Sequence, residues 1–410
     1  MNKDTNAIDT SEASIRNILE RSVAVILPSK DELVKALQSG NRLKMYVGAD
    51  ATGPTLHLGH ATNFMLLEKF RQLGHEIIVL FGDFTAMIGD PTDKDAARVT
   101  LSKEQVEDHI KSWKEQVGKI LKLEDSQNPV TILKNSDWLS KLNFADVVGI
   151  ASNFTVQQMI ERDMFERRLN DKKPIYLHEF FYPLMQGYDS VAMNVDLEVG
   201  GTDQTFNMLA GRTLQRKYNN KDKFVISTTL LENPKTGKKL MSKSEGGFIG
   251  LNDSPQDMYG KTMALPDEAV FQVFVDCTYV PLGEVEELKK QTEAGTNPRD
   301  IKMRLARELV TLYHDAEKAK AAEENFVNTF AKGGVPDEVE TVATEAGKLL
   351  VDIMVEKSIV ASKSEWRRLI DEGAVSIVES EEKITDPFAK AEKSGVYKIG
   401  KRRFIKIEVN

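Results

Sequence analysis

One stretch constrains the fold more than any other. The apolar run Met45-Tyr46-Val47 breaks into Gly48-Ala-Asp50-Ala-Thr52-Gly-Pro, and a helix begins around Leu56-His57-Leu58-Gly59-His60. Over residues 63–73 Phe64, Leu67 and Phe70 fall on one helix face, Gly74 closes the helix, and Ile77-Ile-Val-Leu-Phe81 reads as a buried strand within residues 76–84. Strand, glycine-containing turn, helix, strand is a βαβ unit, which implies a parallel sheet with right-handed crossovers. Unpaired N–H groups at a helix start carry partial positive charge and attract phosphate. His57 and His60 add donors there, and Gly59, lacking a side chain, leaves the backbone open to a flat or charged ligand.

A chain of 410 residues has room for two or three cores, and its 41 % hydrophobic and 29 % charged content is that of an ordinary globular protein. No apolar run approaches the ~18 residues that cross a bilayer, and the polar start has no signal-peptide shape, so a cytoplasmic protein is expected. Cys277 is the single cysteine. It excludes an intrachain disulfide and a cysteine-based zinc site, and within the apolar run 273–280 it reads as a buried small hydrophobe rather than a reactive thiol. The net charge of −8 argues against a nonspecific nucleic-acid coat. Residues 342–410 are nevertheless the relatively basic part, with 13 Lys+Arg against 12 Asp+Glu.

Elsewhere the chain offers several polar clusters. Residues 11–39 read as helices capped by Ser11 and Ser29. Beyond the second strand lie Asp90, Lys94 and Arg98, in a loop that belongs either to a binding crevice beside His57 and His60 or to a plain surface turn. Residues 101–172 read as largely helical, with Trp113 and Trp138 in the core. Tyr182, Gln186 and Asp189, at i, i+4 and i+7, share one face of an otherwise apolar helix, and such a stripe faces either solvent or a ligand's polar groups. A strand over 197–201 ends in Thr202-Asp203-Gln204. Another over 224–231 leads to Lys238-Lys239-Leu240-Met241-Ser242-Lys243-Ser244, a mobile anion-binding loop or a solvated charge cluster. Helices are expected from 254 to about 337, with a linker at Gly333-Gly-Val-Pro336. A small terminal unit follows, with a helix over 362–370 and strands over 374–378, 395–399 and 403–409. Its Trp366, Arg367 and Arg368, with Lys401, Arg402 and Arg403, compose a candidate face for RNA phosphates.

His57-x-Gly59-His60, followed some 180 residues later by Met241-Ser-Lys-Ser244, resembles the paired signatures of class I aminoacyl-tRNA synthetases. Tyr46-x-Gly48-x-Asp50, Gly89-Asp90-Pro91, the Tyr182/Gln186/Asp189 stripe and Gly200-Gly-Thr-Asp203-Gln204 narrow the resemblance to the bacterial-type tyrosyl-tRNA synthetases, over nearly the whole chain. It implies an α/β fold in three parts. A Rossmann-like doubly wound parallel sheet with N-terminal helices and a helical insertion would span 1–232. The signature loop and an α-helical domain binding the anticodon arm would span 233–336, and a small α+β RNA-binding domain 343–410.

The resemblance also implies roles. Tyr46 and Asp189 would bind the phenolic hydroxyl of tyrosine, and Asp90, Tyr182 and Gln186 its α-ammonium group. Gly48 and Asp203 would contact ribose, Asp50 and Gln204 would position the substrates, and Gly59, Met241 and Ser244 would border ATP. Thr52, His57, His60, Lys94, Arg98 and Lys243 would stabilise charge on the phosphates. ATP is then a substrate accompanied by Mg2+, with no protein metal site and no tightly bound prosthetic group. The expected partners are L-tyrosine, ATP and tRNA(Tyr), in a homodimer joined through helices between about 140 and 190, with no membrane. Three departures stand out: Leu240 replaces the first lysine of the signature loop, leaving Lys238 or Lys239 to substitute; Leu58 replaces a more usual Ile; and Val378-Glu-Ser-Glu-Glu-Lys383 stands where an Asn-Gly turn is usual. The rival readings are a tryptophanyl-tRNA synthetase, another nucleotidylyltransferase using His-x-Gly-His, and a noncatalytic RNA-binding protein on a synthetase fold.

Overall fold

The computed structural model describes residues 8–90, 101–161, 163–241, 248–328, 339–357, 359–360, 362–378, 380, 382–400 and 403–409. The chain divides into two compact units, Met1–Asp315 and Ala316–Asn410.

The first unit is built on a six-stranded sheet: β1 (Val23–Leu27), β2 (Lys44–Asp50), β3 (Glu76–Gly82), β4 (Thr131–Lys134), β5 (Leu197–Gly201) and β6 (Phe224–Thr228). Their order is β1-β6-β5-β2-β3-β4. All neighbours run parallel except the edge strand β1, which is antiparallel to β6. Six of the seven residues of β3 are buried, as a strand covered on both faces requires. The expected βαβ unit is β2, the helix Leu58–Gln72 and β3. From β2 the chain winds outward through β3 to β4, then returns to the other side of β2 for β5 and β6. The order therefore reverses between β2 and β5, and in open parallel sheets ligands bind outside the carboxyl ends of the strands at such a point.

Two strands here differ from the sequence reading. Residues 11–39 are two helices, Glu12–Leu19 and Lys30–Gln38, separated by β1. Ser22 at φ 60° ends the first helical stretch, and Ser29 caps the second by accepting from the Glu32 N–H. The mainly helical segment after residue 101 contains β4, four residues long and too short to show a strand period. The rest of the unit is helical from Pro255 to Tyr313, and Cys277 is fully buried within it.

The second unit carries a four-stranded sheet of β7 (Thr341–Thr344), β8 (Val375–Ile377), β9 (Gly395–Ile399) and β10 (Arg403–Val409), ordered β7-β10-β9-β8. β7 is an addition to the expected strands. The helices Leu350–Glu356 and Lys363–Asp371 bury Ile353, Met354, Trp366 and Ile370 against Tyr397, Ile399 and Ile405.

Candidate active site

At the reversal between β2 and β5 opens a cleft of about 340 Å3. The ends of both strands border it, with Gly48 and Asp50 on one side and Glu198, Gly200 and Gly201 on the other. His57, Gly59 and His60 at the start of the helix Leu58–Gln72 line it, as do Thr52, Asp90, Asp203, Gln204 and Met241. The helix Leu177–Met193 contributes Tyr182, Gln186 and Asp189, so the polar stripe faces the cleft rather than solvent.

Asp189 sits at the enclosed end. The Trp138 indole N–H donates to its Oδ1 at 2.7 Å and the Asn135 amide to its Oδ2 at 3.3 Å. Burial pushes this carboxyl well above the usual carboxylate range, against those two donors. Nearer the mouth, Asp50 accepts from the Tyr182 hydroxyl at 2.9 Å and from Thr85 at 2.6 Å. Gln204 donates to Asp90 at 2.8 Å while accepting from Asn207 at 3.0 Å, which fixes its amide orientation. A cleft bordered by Asp50, Asp90, Asp189, Glu198 and Asp203 suits a ligand bearing an ammonium group at this depth.

The opposite side suits phosphate. The His57 backbone N–H donates to His60 Nδ1 at 3.2 Å, so in the neutral ring the proton sits on Nε2. The two imidazoles lie 3.9 Å apart between centroids. A Cβ on Gly59 would come within 3.1 Å of the His57 ring, so this glycine makes room for an imidazole, a use beyond the ligand approach expected of it. The helix Lys103–Gly118 grips the loop ahead of His57 from one face: His109 donates to Ala51 O (2.8 Å), Ser112 to Pro54 O (2.9 Å) and Trp113 to Gly53 O (2.7 Å). Gln116 both donates to Pro54 O and accepts from the Leu56 N–H.

The first signature pairs through its backbone with the stretch that follows the second. His57 and Gly250 form an antiparallel bridge, the Leu58 N–H donates to Ile249 O at 3.2 Å, and the Leu251 N–H donates to Leu56 O at 2.9 Å. On the other flank Glu232 bridges Lys239, and Lys239 lies 3.9 Å from Asp203 within the cleft wall. Lys94, Arg98, Lys243 and Ser244 lie outside the described residues.

A family model described as tRNA synthetases class I (W and Y) matches residues 38–331. The chain belongs to that family. Tyrosine–tRNA ligases of Carboxydothermus hydrogenoformans and Haemophilus influenzae are both 43 % identical to this class I synthetase. The first aligns over 95 % of this chain and 96 % of its own, the second over 96 % of each. A C-terminally truncated mitochondrial tyrosyl-tRNA synthetase of Coccidioides posadasii superposes with a TM-score of 0.63 at 25 % identity, covering 77 % of this chain and 92 % of that one.

Tyr46 shares a strand face with Gly48 and Asp50 and lies deeper along β2, fully buried with Ile78, Leu80 and Met193, its hydroxyl 2.9 Å from Ser190 Oγ. One expected site residue of the synthetase needs correction: in the second unit Trp366 is fully buried and donates to Pro387 O, so it packs the core and cannot present its ring to RNA. Arg403 is tied to Ile359 O and Glu365, and Arg368 to Glu372. Arg367 lies 5.4 Å over the ring of Phe388, which is 57 % exposed. Lys401 and Arg402 lie outside the described residues.

Sequence reasoning missed Asn135, Trp138, Glu198 and the gripping face of the helix Lys103–Gly118. That last face was the findable one: His109, Ser112, Trp113 and Gln116 fall at i, i+3, i+4 and i+7.

Proposed function

We propose that the cleft activates L-tyrosine with ATP and then passes it to the 3′ end of tRNA(Tyr). The observation that carries this reading is Asp189, a buried carboxylate held by Trp138 and Asn135 at the closed end of a cleft whose other side is a histidine-bearing helix start. A phenolic hydroxyl donates to such an acceptor; phenylalanine would leave it without that partner. The full-length similarity to tyrosine–tRNA ligases supports the same choice over a tryptophan substrate.

The α-ammonium group lies among Asp90, Tyr182 and Gln186, which aims the substrate carboxylate toward ATP. Already ionised at neutral pH, that carboxylate needs no general base. Its oxygen bonds to the α-phosphorus as the bond to the β-phosphate oxygen breaks, giving tyrosyl-adenylate and pyrophosphate. The chain's work is alignment and charge stabilisation: Thr52, His57 and His60 from the helix start, joined by the cations Lys94, Arg98 and Lys243. Lys239, already in the cleft wall, supplies the cation that Leu240 lacks. Gly48 and Asp203 hold the ribose. Magnesium would accompany ATP on its phosphates and neutralise part of their charge.

In the second step a terminal ribose hydroxyl of tRNA attacks the adenylate carbonyl and AMP leaves. The helices after residue 255 and the terminal unit, with Arg367, Arg368 and Phe388, hold the rest of the tRNA. Phe144 and Val148 are 83 % and 51 % exposed, beside an apolar groove that includes Leu139, Leu142 and Phe181, and we assign this face to a homodimer. No helix among the described residues is long and apolar enough to cross a membrane, and the activity assigned belongs in the cytoplasm.

The test is pyrophosphate–ATP exchange with each of the twenty amino acids. Tyrosine alone is expected to drive it. Equal stimulation by phenylalanine would remove the Asp189 assignment, and no exchange with any amino acid would favour a noncatalytic protein.

A further inference from the structure

We propose that Lys223 is a positioning residue for tyrosine: its ammonium holds Glu198, and Glu198 decides which end of the Gln186 amide faces the substrate. The inference rests on the tyrosine reading above and deepens it.

Lys223 immediately precedes β6 and is fully buried, a rare state for lysine. Its Nζ donates to Glu198 Oε2 in an ion pair and to Ser190 Oγ at 2.9 Å. Space for that head group is built in. A Cβ on Gly211, in the helix Thr205–Asn219, would stand 2.4 Å from Lys223 Nζ and 2.7 Å from Ser190 Oγ. A side chain there would push the Lys223 head group aside.

Glu198 passes the arrangement to the cleft. It is 1 % exposed, borders the cleft from β5, and its Oε1 accepts from Gln186 Nε2 at 3.0 Å. An ionised carboxylate only accepts, so Gln186 must turn its NH2 toward Glu198 and present its carbonyl oxygen to the cleft. A carbonyl there accepts from an ammonium group; a flipped amide would repel it. Asp50 and Asp90 attract a cation to the cleft as a whole, but this carbonyl selects its seat. A buried pair of this kind is a costly way to gain stability, since apolar residues of similar size usually serve as well. Its place directly behind a cleft residue supplies the functional reason.

The experiment is steady-state exchange kinetics on full-length Lys223→Met, Glu198→Gln and the double variant, with melting temperatures recorded for each. Either single change is expected to raise the tyrosine KM about 10-fold or more, leaving kcat and the ATP KM within about 2-fold. The double variant should cost far less than the product of the singles, because both act through Gln186. Should Lys223→Met fail to fold, Gly211→Ala crowds the same ammonium without removing charge, and a selective rise in tyrosine KM is expected. An unchanged tyrosine KM in a folded variant, or equal rises for tyrosine and ATP, overturns the proposal. The wild-type arm judges the activity separately: absence of tyrosine-driven exchange there would sink the tyrosine reading and this role with it.

Discussion

Asp189 serves two demands that conflict. It accepts from a phenol most strongly when ionised, yet burial favours its protonated form despite the donors on Trp138 and Asn135. A carboxyl raised in this way stabilises the ligand-free fold while protonated, and that contribution is lost as pH rises through its raised value. Asp189→Asn is therefore expected to melt a few degrees above the wild type near pH 8, at about 2–4 °C per kcal/mol, with the two converging near pH 4. The same variant should lose about 10–100-fold in exchange through a higher tyrosine KM, the worth of a hydrogen bond to a charged group. Thermal melts across pH and exchange kinetics check the two halves; a variant that binds tyrosine normally would contradict the assignment. His57, Gly59 and His60 were legible because they stand together in the sequence, and the 182/186/189 stripe because helical spacing reveals it. Asn135 and Trp138 were not: they reach the pocket from a segment whose local pattern gives no sign of the carboxylate they serve, which lies more than fifty residues away.

Helix starts that bind phosphate work only if the loop before them is held still, and here one neighbouring helix does this. His109, Ser112, Trp113 and Gln116 of Lys103–Gly118 satisfy backbone groups from Ala51 to Leu56. Gln116→Ala would strand the buried Leu56 N–H, and a loss of about 1–3 kcal/mol is expected in urea unfolding. Exchange should slow through kcat and the ATP KM, with the tyrosine KM little changed. A rise confined to tyrosine would show that the grip does not serve the nucleotide side. The helices and long strands that form this half of the molecule follow from their apolar periods. β1, β4 and β7, four or five residues each, escaped the sequence reading; β5 and β6 are as short, but Gly200-Gly201 and the longer apolar run over 224–231 mark them. Turn chemistry marks β1 instead, with Ser22 at positive φ before it and Pro28 after.

The reversal of strand order between β2 and β5 collects residues spread from Gly48 to Met241 into one cleft, so much of the first unit's length serves a single site. On the proposed homodimer, the apolar face around Phe144 carries the second copy. Phe144→Asp is expected to shift the protein from dimer to monomer in sedimentation at micromolar concentration, with aminoacylation falling in parallel. A wild-type monomer would remove that assignment. The three tryptophans divide among these regions. Trp113 lines the cleft beside His60, Trp138 donates to Asp189, and Trp366 fills the core of the separate second unit. On the proposed reading the three ultraviolet emitters stand on the nucleotide side, on the amino-acid side and in the terminal unit. A change in Trp138 emission would time the arrival of tyrosine and one in Trp113 that of ATP, while Trp366 would emit unchanged through both, a built-in optical clock for the order of events.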